Sequence, residues 1–209
     1  MGEEQVRGRN AERTRMAVLE AAEVLFADRG FSGTSMRDIS CASGISQPLI
    51  HHHFGCKQDL YIAVRRWGIH KFAERFPDLA GEGDHPLDVR SELTRIFDYL
   101  MENQACVKLI GWARLEGNHP ALPEEAELTR AMVKRIERAQ QRDLIRRDLD
   151  PVNLSAMLLS FVIYWLENRL HFGEVAAGKV DDRAYLEQAI ALLERGLAPA
   201  IGECPAKRI

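Results

Sequence analysis

The sequence predicts an all-α protein of about nine helices. Apolar residues recur at intervals of three and four through the long segments, which is the spacing of one face of an α-helix. The alternating apolar pattern of a β-strand does not occur. Glycine, proline and capping residues divide the helical segments. The 209 residues, of which 46% are hydrophobic, are enough to bury a core in one large or two small domains.

The first predicted helix runs from about Ala11 to Arg29 and is closed by Gly30. Its apolar residues lie on one face: Val18, Leu19, Ala22, Leu25 and Phe26. We expect this face to pack against the next two helices, because those helices are too short to be stable alone in water.

Two short helices joined by a tight turn follow. A hydroxyl of Thr34 or Ser35 can cap the first of them, and Gly44 ends it where a left-handed residue is needed. Ser46 precedes the second, in which Pro48 falls in the first turn, where proline is tolerated. A helix, a short turn and a second helix form the layout of a helix-turn-helix.

The second short helix, from Gln47 to about His53, presents side chains suited to the major groove of DNA. Glutamine pairs with adenine edges, and Leu49 can contact a thymine methyl. We expect His51 and His52 to face DNA and His53 to face inward. Consecutive residues of a helix point about 100° apart, so three histidines in a row cannot close on one ion. No metal site is therefore predicted.

A longer series of residues carries a family resemblance over roughly residues 10 to 65. They are Thr14, Arg15, Ala21, Ala22, Leu25, Phe26, Gly30, Phe31, Thr34, Ser35, Ile39, Ala42, Gly44, Ile45, Ser46, His53, Phe54, Lys57 and Leu60. In this order they resemble the DNA-binding region of TetR-type transcriptional repressors. The resemblance implies a homodimeric, ligand-responsive regulator that binds a palindromic double-stranded DNA operator and is released by a small-molecule effector.

The resemblance and the groove chemistry together predict a DNA-binding set. It comprises Thr34, Ser35, Arg37, Ser46, Gln47, Pro48, Leu49, His51, His52 and Lys57. Arg37 and Gln47 are expected to contact bases, with Pro48 and Leu49 in apolar contact. Phosphate contacts, which set the register on DNA, are expected from Thr34, His51 and Lys57.

Two positions depart from the family pattern. His51 stands where the family usually has a tyrosine that contacts a phosphate, and imidazole donates a hydrogen bond more weakly and with a pH dependence. Leu49 stands where a small residue is common, so the bases that the family reads do not transfer to this chain.

The formal net charge of −3 does not point to a nucleic-acid partner, but the charge is unevenly distributed. Between Val6 and Arg15 the chain has four arginines and one acid, Glu12. Such an arm can lie along phosphates or enter a minor groove. It can equally serve as a solubilising tail.

The cysteine spacing and the apolar stretches predict a cytoplasmic location. The four cysteines show no paired CxxC spacing, which is typical of reduced thiols in a cytosolic protein. No positively flanked apolar segment opens the sequence, so secretion is not expected. The longest apolar stretch, Ala156 to Leu166, is shorter than the about 20 residues that span a bilayer, so no membrane partner is predicted.

A long helix is predicted from about Cys56 to Arg75, followed by a break at Pro77 to Pro86 that is rich in glycine, proline and aspartate. Because the long helix can belong to both parts of the chain, we place the domain boundary within it. This predicts an N-terminal arm and helix-turn-helix domain at 1–60 and an effector-binding and dimerisation domain at 61–209.

Five more helices are predicted in the C-terminal part, and their large flexible and aromatic side chains suit an effector pocket. The helices are Leu93 to Met101, Val107 to Leu115, Pro123 to Arg147, Pro151 to Leu170 and Asp181 to Leu197. The candidate pocket residues are Phe97, Met101, Trp112, Met132, Met157, Phe161 and Trp165. The same residues at helical spacing also suit an ordinary core.

The fourth of these helices is apolar nearly all round, which indicates burial on more than one side. With the last helix it is predicted to form a four-helix interface between two subunits. The predicted interface residues are Leu159, Val162, Leu166, Leu186, Ala189, Ile190, Leu193 and Leu197. The alternative is that both helices close the core of a monomer.

The sequence holds no HExxH, GxGxxG, P-loop or GxSxG arrangement, so neither catalysis nor a cofactor is predicted. The alternative to a DNA-binding regulator is a helical small-molecule-binding protein or small enzyme whose helix-turn-helix is idle. Salt dependence separates the two, because binding through several phosphates weakens steeply as salt rises.

Overall fold

A computed structural model describes residues 2–80, 87–117, 122–175, 178 and 180–199, with side chains from residue 8 onward. Within these ranges the chain forms ten helices and no strand, which confirms the predicted all-α class. The helices are α1 (Gly2–Arg29), α2 (Met36–Ser43), α3 (Gln47–Phe54), α4 (Lys57–Arg75), α5 (Pro77–Ala80), α6 (Val89–Glu102), α7 (Gln104–Glu116), α8 (Pro123–Gln141), α9 (Pro151–Val175) and α10 (Asp182–Leu197). None of the described helices combines the length and apolar character that crossing a bilayer requires.

Several helix boundaries differ from those expected, most of all in α1 and α8, and α5 was not expected at all. The first helix begins at Gly2 rather than near Ala11, so the arginine-rich arm continues α1. The helix α8 ends at Gln141 rather than Arg147, because the chain turns at Asp143, whose φ is 55°. The Gln140 side chain donates hydrogen bonds to two carbonyls of the segment that follows, which holds that turn in place.

The chain packs into two compact units. The first contains the described residues of Met1–Arg75 and Asn103–Glu124, and the second those of Phe76–Glu102 and Glu125–Ile209. The helix α7 therefore packs in the unit that contains the helix-turn-helix. The division into domains 1–60 and 61–209 concerns function and stays a prediction.

The core of the first unit forms around the predicted apolar face of α1. Val18, Ala22 and Phe26 are fully buried there, and Phe26 packs edge-on against Tyr61 of α4 with ring centroids 5.0 Å apart. The shorter helices each contribute a fully buried residue to this cluster, Ile39 from α2 and Ile50 from α3. The two short helices are thus held by α1 and α4.

Most of the residues predicted for the subunit interface lie in the core of the second unit, which corrects that prediction. Six predicted interface residues lie inside a single chain, with at most 8% of their surface exposed: Val162, Leu186, Ala189, Ile190, Leu193 and Leu197. The α10 helix has one apolar stripe, and it uses that stripe against α6 and α9 of its own chain. Leu166 is half-buried, and Leu159 is exposed by 54%.

Two ion pairs connect α5, α6 and α8 in the second unit. Arg135 and Glu92 are 2% and 5% exposed, and Arg135 Nη1 lies 2.9 Å from Glu92 Oε2. Arg95 donates two hydrogen bonds to Asp78, of 2.7 and 2.9 Å. These bonds from the Arg95 guanidinium lower the pKa of the Asp78 carboxyl from 3.8 to about 2.

Replacing Asp78 with asparagine should make the protein less stable at neutral pH and less sensitive to acid. Because its pKa is depressed in the folded chain, the carboxylate stabilises the fold above about pH 4 and loses this effect as the pH falls towards 2. Both side chains are about a third exposed, so solvent screening limits the effect to about 1 kcal/mol. Urea unfolding at several pH values measures it, with the exposed Asp28→Asn as control. A difference between Asp78→Asn and wild type that is the same at pH 2 and pH 7 would contradict this assignment.

Candidate nucleic-acid interface

The α2 helix begins with a reciprocal cap. Ser35 Oγ accepts a hydrogen bond of 3.1 Å from the Asp38 amide, and the Asp38 carboxylate accepts one of 3.0 Å from the Ser35 amide. The hydrogen bonds from Ser35 lower the pKa of Asp38. Gly44, with φ of 70°, ends the helix, and its amide donates to the Ser40 carbonyl. The predicted start and end of this helix are thus the observed ones.

The α3 helix is anchored by two apolar side chains and exposes a polar face. Ile50 is fully buried and Phe54 is 8% exposed. The side chains on the other face are all exposed: Ser46 at the N-cap, Gln47, Pro48, Leu49, His51 and His52. His53 is half-buried beside Phe54, with ring centroids 6.4 Å apart. On α2, Arg37 is also exposed.

His51 is bound to the backbone by one of its two ring nitrogens. Its Nδ1 lies 2.7 Å from the Gly55 carbonyl oxygen. Because a carbonyl only accepts, Nδ1 carries the proton in this contact and neutral His51 has a lone pair on Nε2. A phosphate oxygen also only accepts. Nε2 can therefore donate to a phosphate only when the ring is the doubly protonated imidazolium.

Thr34 and Lys57 make internal contacts in the turn between α1 and α2. Thr34 is 2% exposed, and its hydroxyl donates to the Gly30 carbonyl at 2.8 Å. Lys57 Nζ donates to the carbonyls of Phe31 and Thr34 at 2.9 and 3.0 Å and lies 4.1 Å from the centre of the Phe31 ring. We therefore remove Thr34 from the interface, because a phosphate cannot reach its hydroxyl. The phosphate contact of Lys57 stays a prediction, with two of its three N–H donors in use.

The arginines near the N-terminus line the outer surface of α1. Arg9 and Arg13 are exposed, and Arg15 lies 4.6 Å above the centre of the Phe54 ring. Arg15 thus joins α1 to the end of α3. The side chain of Arg7 lies outside the described residues.

Comparison with known proteins identifies the family. The sequence profile described as bacterial regulatory proteins, tetR family, matches residues 18–64, and the profile of the tetracyclin repressor-like C-terminal domain matches residues 88–195. The chain belongs to the TetR family. It is thus a DNA-binding transcriptional regulator.

Relatives and solved structures agree with this assignment. The chain is 26% identical over 171 residues to the HTH-type transcriptional repressor NicS of Pseudomonas putida, which covers 78% of this chain and 81% of NicS. Its fold is similar to that of a transcriptional regulator from Streptomyces coelicolor, SCO4942, with a TM-score of 0.74 and 22% identity over 88% of this chain and 98% of that one. It is also similar to AibR, solved with isovaleryl coenzyme A and operator DNA, with a TM-score of 0.62 and 21% identity over 86% and 97% of the two chains.

The structure of this TetR-family chain divides the predicted effector pocket between the two units. Trp112 belongs to the first unit, where its Nε1 donates to the Ala27 carbonyl at 3.2 Å. The other six residues belong to the second unit. Among them Phe97 is 1% exposed, whereas Met157 is 54% exposed. That the seven residues line one effector pocket stays a prediction.

Several residues of the TetR-family chain gain importance only from the structure. Tyr185 stacks on Trp165 with ring centroids 3.9 Å apart and an angle of 3° between the planes. Asp182 accepts hydrogen bonds from Trp165 Nε1 and Arg169. Glu116 accepts hydrogen bonds from the turn between α1 and α2. No sequence motif or spacing identifies these residues, because each contacts a partner that only the folding of the chain brings close.

Replacing Lys57 with methionine should destabilise the first unit even in the absence of DNA. The substitution removes two hydrogen bonds from a charged donor, so we expect the free energy of unfolding to fall by about 1–3 kcal/mol. Urea unfolding measures the change. Lys108→Met, at an exposed lysine of α7, is the matched control and should change stability by less than about 0.5 kcal/mol. Equal stability of the two variants would mean that the internal contacts of Lys57 contribute nothing.

Proposed function

We propose that this TetR-family protein represses transcription by binding a palindromic operator as a homodimer, and that a small-molecule effector releases it. The observation that carries the proposal is the exposed face of α3. Gln47, Leu49 and His52 face solvent, while Ile50 and Phe54 hold the helix against its scaffold. A rigidly held short helix with a polar outer face suits a major groove.

The contacts that we propose follow from the chemistry of the exposed groups. Gln47 and Arg37 contact base edges, and Pro48 and Leu49 contact thymine methyls. Phosphates are held by the exposed hydroxyl of Ser46, which makes no cap bond to α3, and by His51 as the imidazolium. Ser35, His52 and Lys57 complete the proposed interface.

The arginines of α1 support an electrostatic contribution to binding. Arg9 and Arg13 are exposed on the helix that precedes the helix-turn-helix. Exposed cations attract the DNA backbone irrespective of sequence, even though the whole chain has a net charge of −3. Because its proposed partner is chromosomal DNA, we also propose a cytoplasmic location.

A homodimer is proposed through apolar side chains that the monomer leaves at its surface. On α9, Met157, Leu159 and Tyr164 are 54%, 54% and 58% exposed, and on α10 Leu192 is 66% exposed. Exposed apolar residues in such number favour burial against a second copy. A dimer presents two recognition helices, which must match half-sites about one helical turn or a multiple apart.

The effector is proposed to bind among the helices of the second unit. Half-buried Met101, Met132, Phe161 and Trp165 supply the adaptable apolar surface that small-molecule sites use. An effector that binds more tightly to a non-DNA-binding conformation lowers operator affinity by the ratio of its two affinities. Because AibR was solved with isovaleryl coenzyme A, that compound is a reasonable first probe.

Selection of randomised duplexes by the purified protein, followed by binding to the enriched site in a salt series, tests the proposal. We expect a palindrome whose affinity falls steeply as salt rises, because several phosphates are neutralised. Gln47→Ala should weaken binding to that site by about 1–3 kcal/mol through loss of a base contact. Gln104→Ala, at an exposed glutamine of α7, is the control and should bind as the wild type does. A folded protein that enriches no duplex would favour the alternative, a small-molecule-binding protein or enzyme with an idle helix-turn-helix.

Placing a charge on the proposed dimer surface should separate the subunits. An unpaired buried charge costs about 3–5 kcal/mol, so Leu159→Asp and Leu192→Asp should each weaken dimerisation by about two orders of magnitude or more. Sedimentation over a range of protein concentrations measures the dissociation constant, and circular dichroism checks the fold. Leu115→Asp, at a leucine of α7 that is 80% exposed, is the control. An unchanged dimer in the Leu159→Asp, Leu192→Asp double variant would place the interface elsewhere.

A further inference from the structure

The α7 helix belongs to one part of the molecule by sequence and to the other by packing. It lies within residues 88–195, which match the profile of the C-terminal domain. Its residues nevertheless pack in the first unit, with α1 as its main partner. The chain thus leaves the second unit after Glu102 and returns to it at Glu125. The second unit is therefore joined to the chain on both sides of α7.

The last residue of α7 binds the turn between α1 and α2. The Glu116 carboxylate accepts a hydrogen bond of 3.2 Å from the Phe31 amide and one of 3.0 Å from the Ser32 amide. Both bonds are charge-assisted and use the two oxygens of one side chain. They connect segments that are 84 or more residues apart in sequence.

One helical turn earlier, Trp112 binds the end of α1. Its Nε1 donates to the Ala27 carbonyl at 3.2 Å, and its ring covers Gly30. A Cβ on residue 30 would lie 2.8 Å from Cε3 of this ring, and Gly30 has φ of 70°. Glycine is therefore required both for the left-handed conformation and for the close approach of the indole. Trp112 and Glu116 share one face of α7 because they are four residues apart.

The same turn is bound from a second helix and leads directly into α2. Lys57 at the start of α4 donates to the carbonyls of Phe31 and Thr34. Ser35, the N-cap of α2, follows at once. A displacement of the turn therefore moves the start of α2 and, through it, α3. The turn of residues 30–34 joins α7, α4 and the helix-turn-helix.

We propose that Trp112 and Glu116 are positioning residues that couple the C-terminal part of the chain to the recognition helix by holding the turn of residues 30–34. The inference rests on the proposed function and adds the contact through which that function is regulated. Coupling between sites is reciprocal, so DNA on α3 must also change α7. This reciprocity allows a test with DNA as the only ligand.

Hydrogen exchange of the full-length protein, with and without the enriched duplex, tests the coupling. In the wild type, DNA should slow exchange in α2 and α3 and also in α7, the latter by about fivefold or more, which is the low end of ordinary coupling. Glu116→Ala should retain the slowing in α2 and α3 and lose it in α7. Glu116→Gln keeps one acceptor oxygen, so the slowing of exchange in α7 should be intermediate between those of the wild type and Glu116→Ala. Trp112→Phe, which removes only the N–H donor and part of the ring, should reduce the slowing in α7.

Leu115→Ala is the matched control, because Leu115 precedes Glu116 on the same helix and its side chain is 80% exposed. It should behave as the wild type. The coupling is overturned if DNA leaves α7 exchange unchanged in the wild type, or if Glu116→Ala retains the slowing in α7. If DNA slows exchange in neither α3 nor α7 of the wild type, the proposed function itself fails, and the coupling that rests on it fails with it.

Discussion

The structure depends on the burial of a recognition helix that cannot be stable alone. The α3 helix has eight residues, which is well below the about 12–15 that isolated helices need in water. Ile50 and Phe54 therefore supply its stability by packing in the cluster formed by α1, α2 and α4. Since those two residues point inward, Gln47, Leu49 and the neighbouring histidines are left outward. Stability and the proposed DNA recognition thus use opposite faces of the same short helix.

Lys57 suits two different roles, a contact with a DNA phosphate and an internal contact with the turn before α2. A lysine at the start of α4 suits a phosphate, because a helix N-terminus attracts anions. In the structure the Lys57 ammonium donates to two carbonyls of the turn and lies over the Phe31 ring. The α7 helix binds the amides of that turn through Glu116. The carbonyls of the turn therefore accept hydrogen bonds from an ammonium group, and its amides donate hydrogen bonds to a carboxylate. Both charged groups belong to other helices.

In the second unit the main constraint is that the apolar stripe of a helix can pack inside its own chain or against another subunit, but not both. The α10 stripe packs on α6 and α9 of its own chain, so Leu186, Ile190 and their neighbours form the core. The homodimer that we propose therefore uses the apolar side chains that remain exposed on α9 and α10. The charged pair of Arg135 and Glu92 is also inside this unit, where removing either partner would leave an unpaired buried charge.

The sequence by itself determined the helical class, the start of α2 after a hydroxyl cap at Thr34 or Ser35, its end at Gly44 and the outward face of α3. These features depend on local rules of capping, glycine conformation and helical periodicity, which neighbouring residues are enough to satisfy. Only the tertiary structure decided that Thr34 is buried, that Lys57 and Glu116 bind one turn, and that the α10 stripe faces its own chain. Each of these facts depends on a partner distant in sequence or on a choice between two apolar surfaces. Periodicity shows that a face is buried, but it does not show which surface covers it.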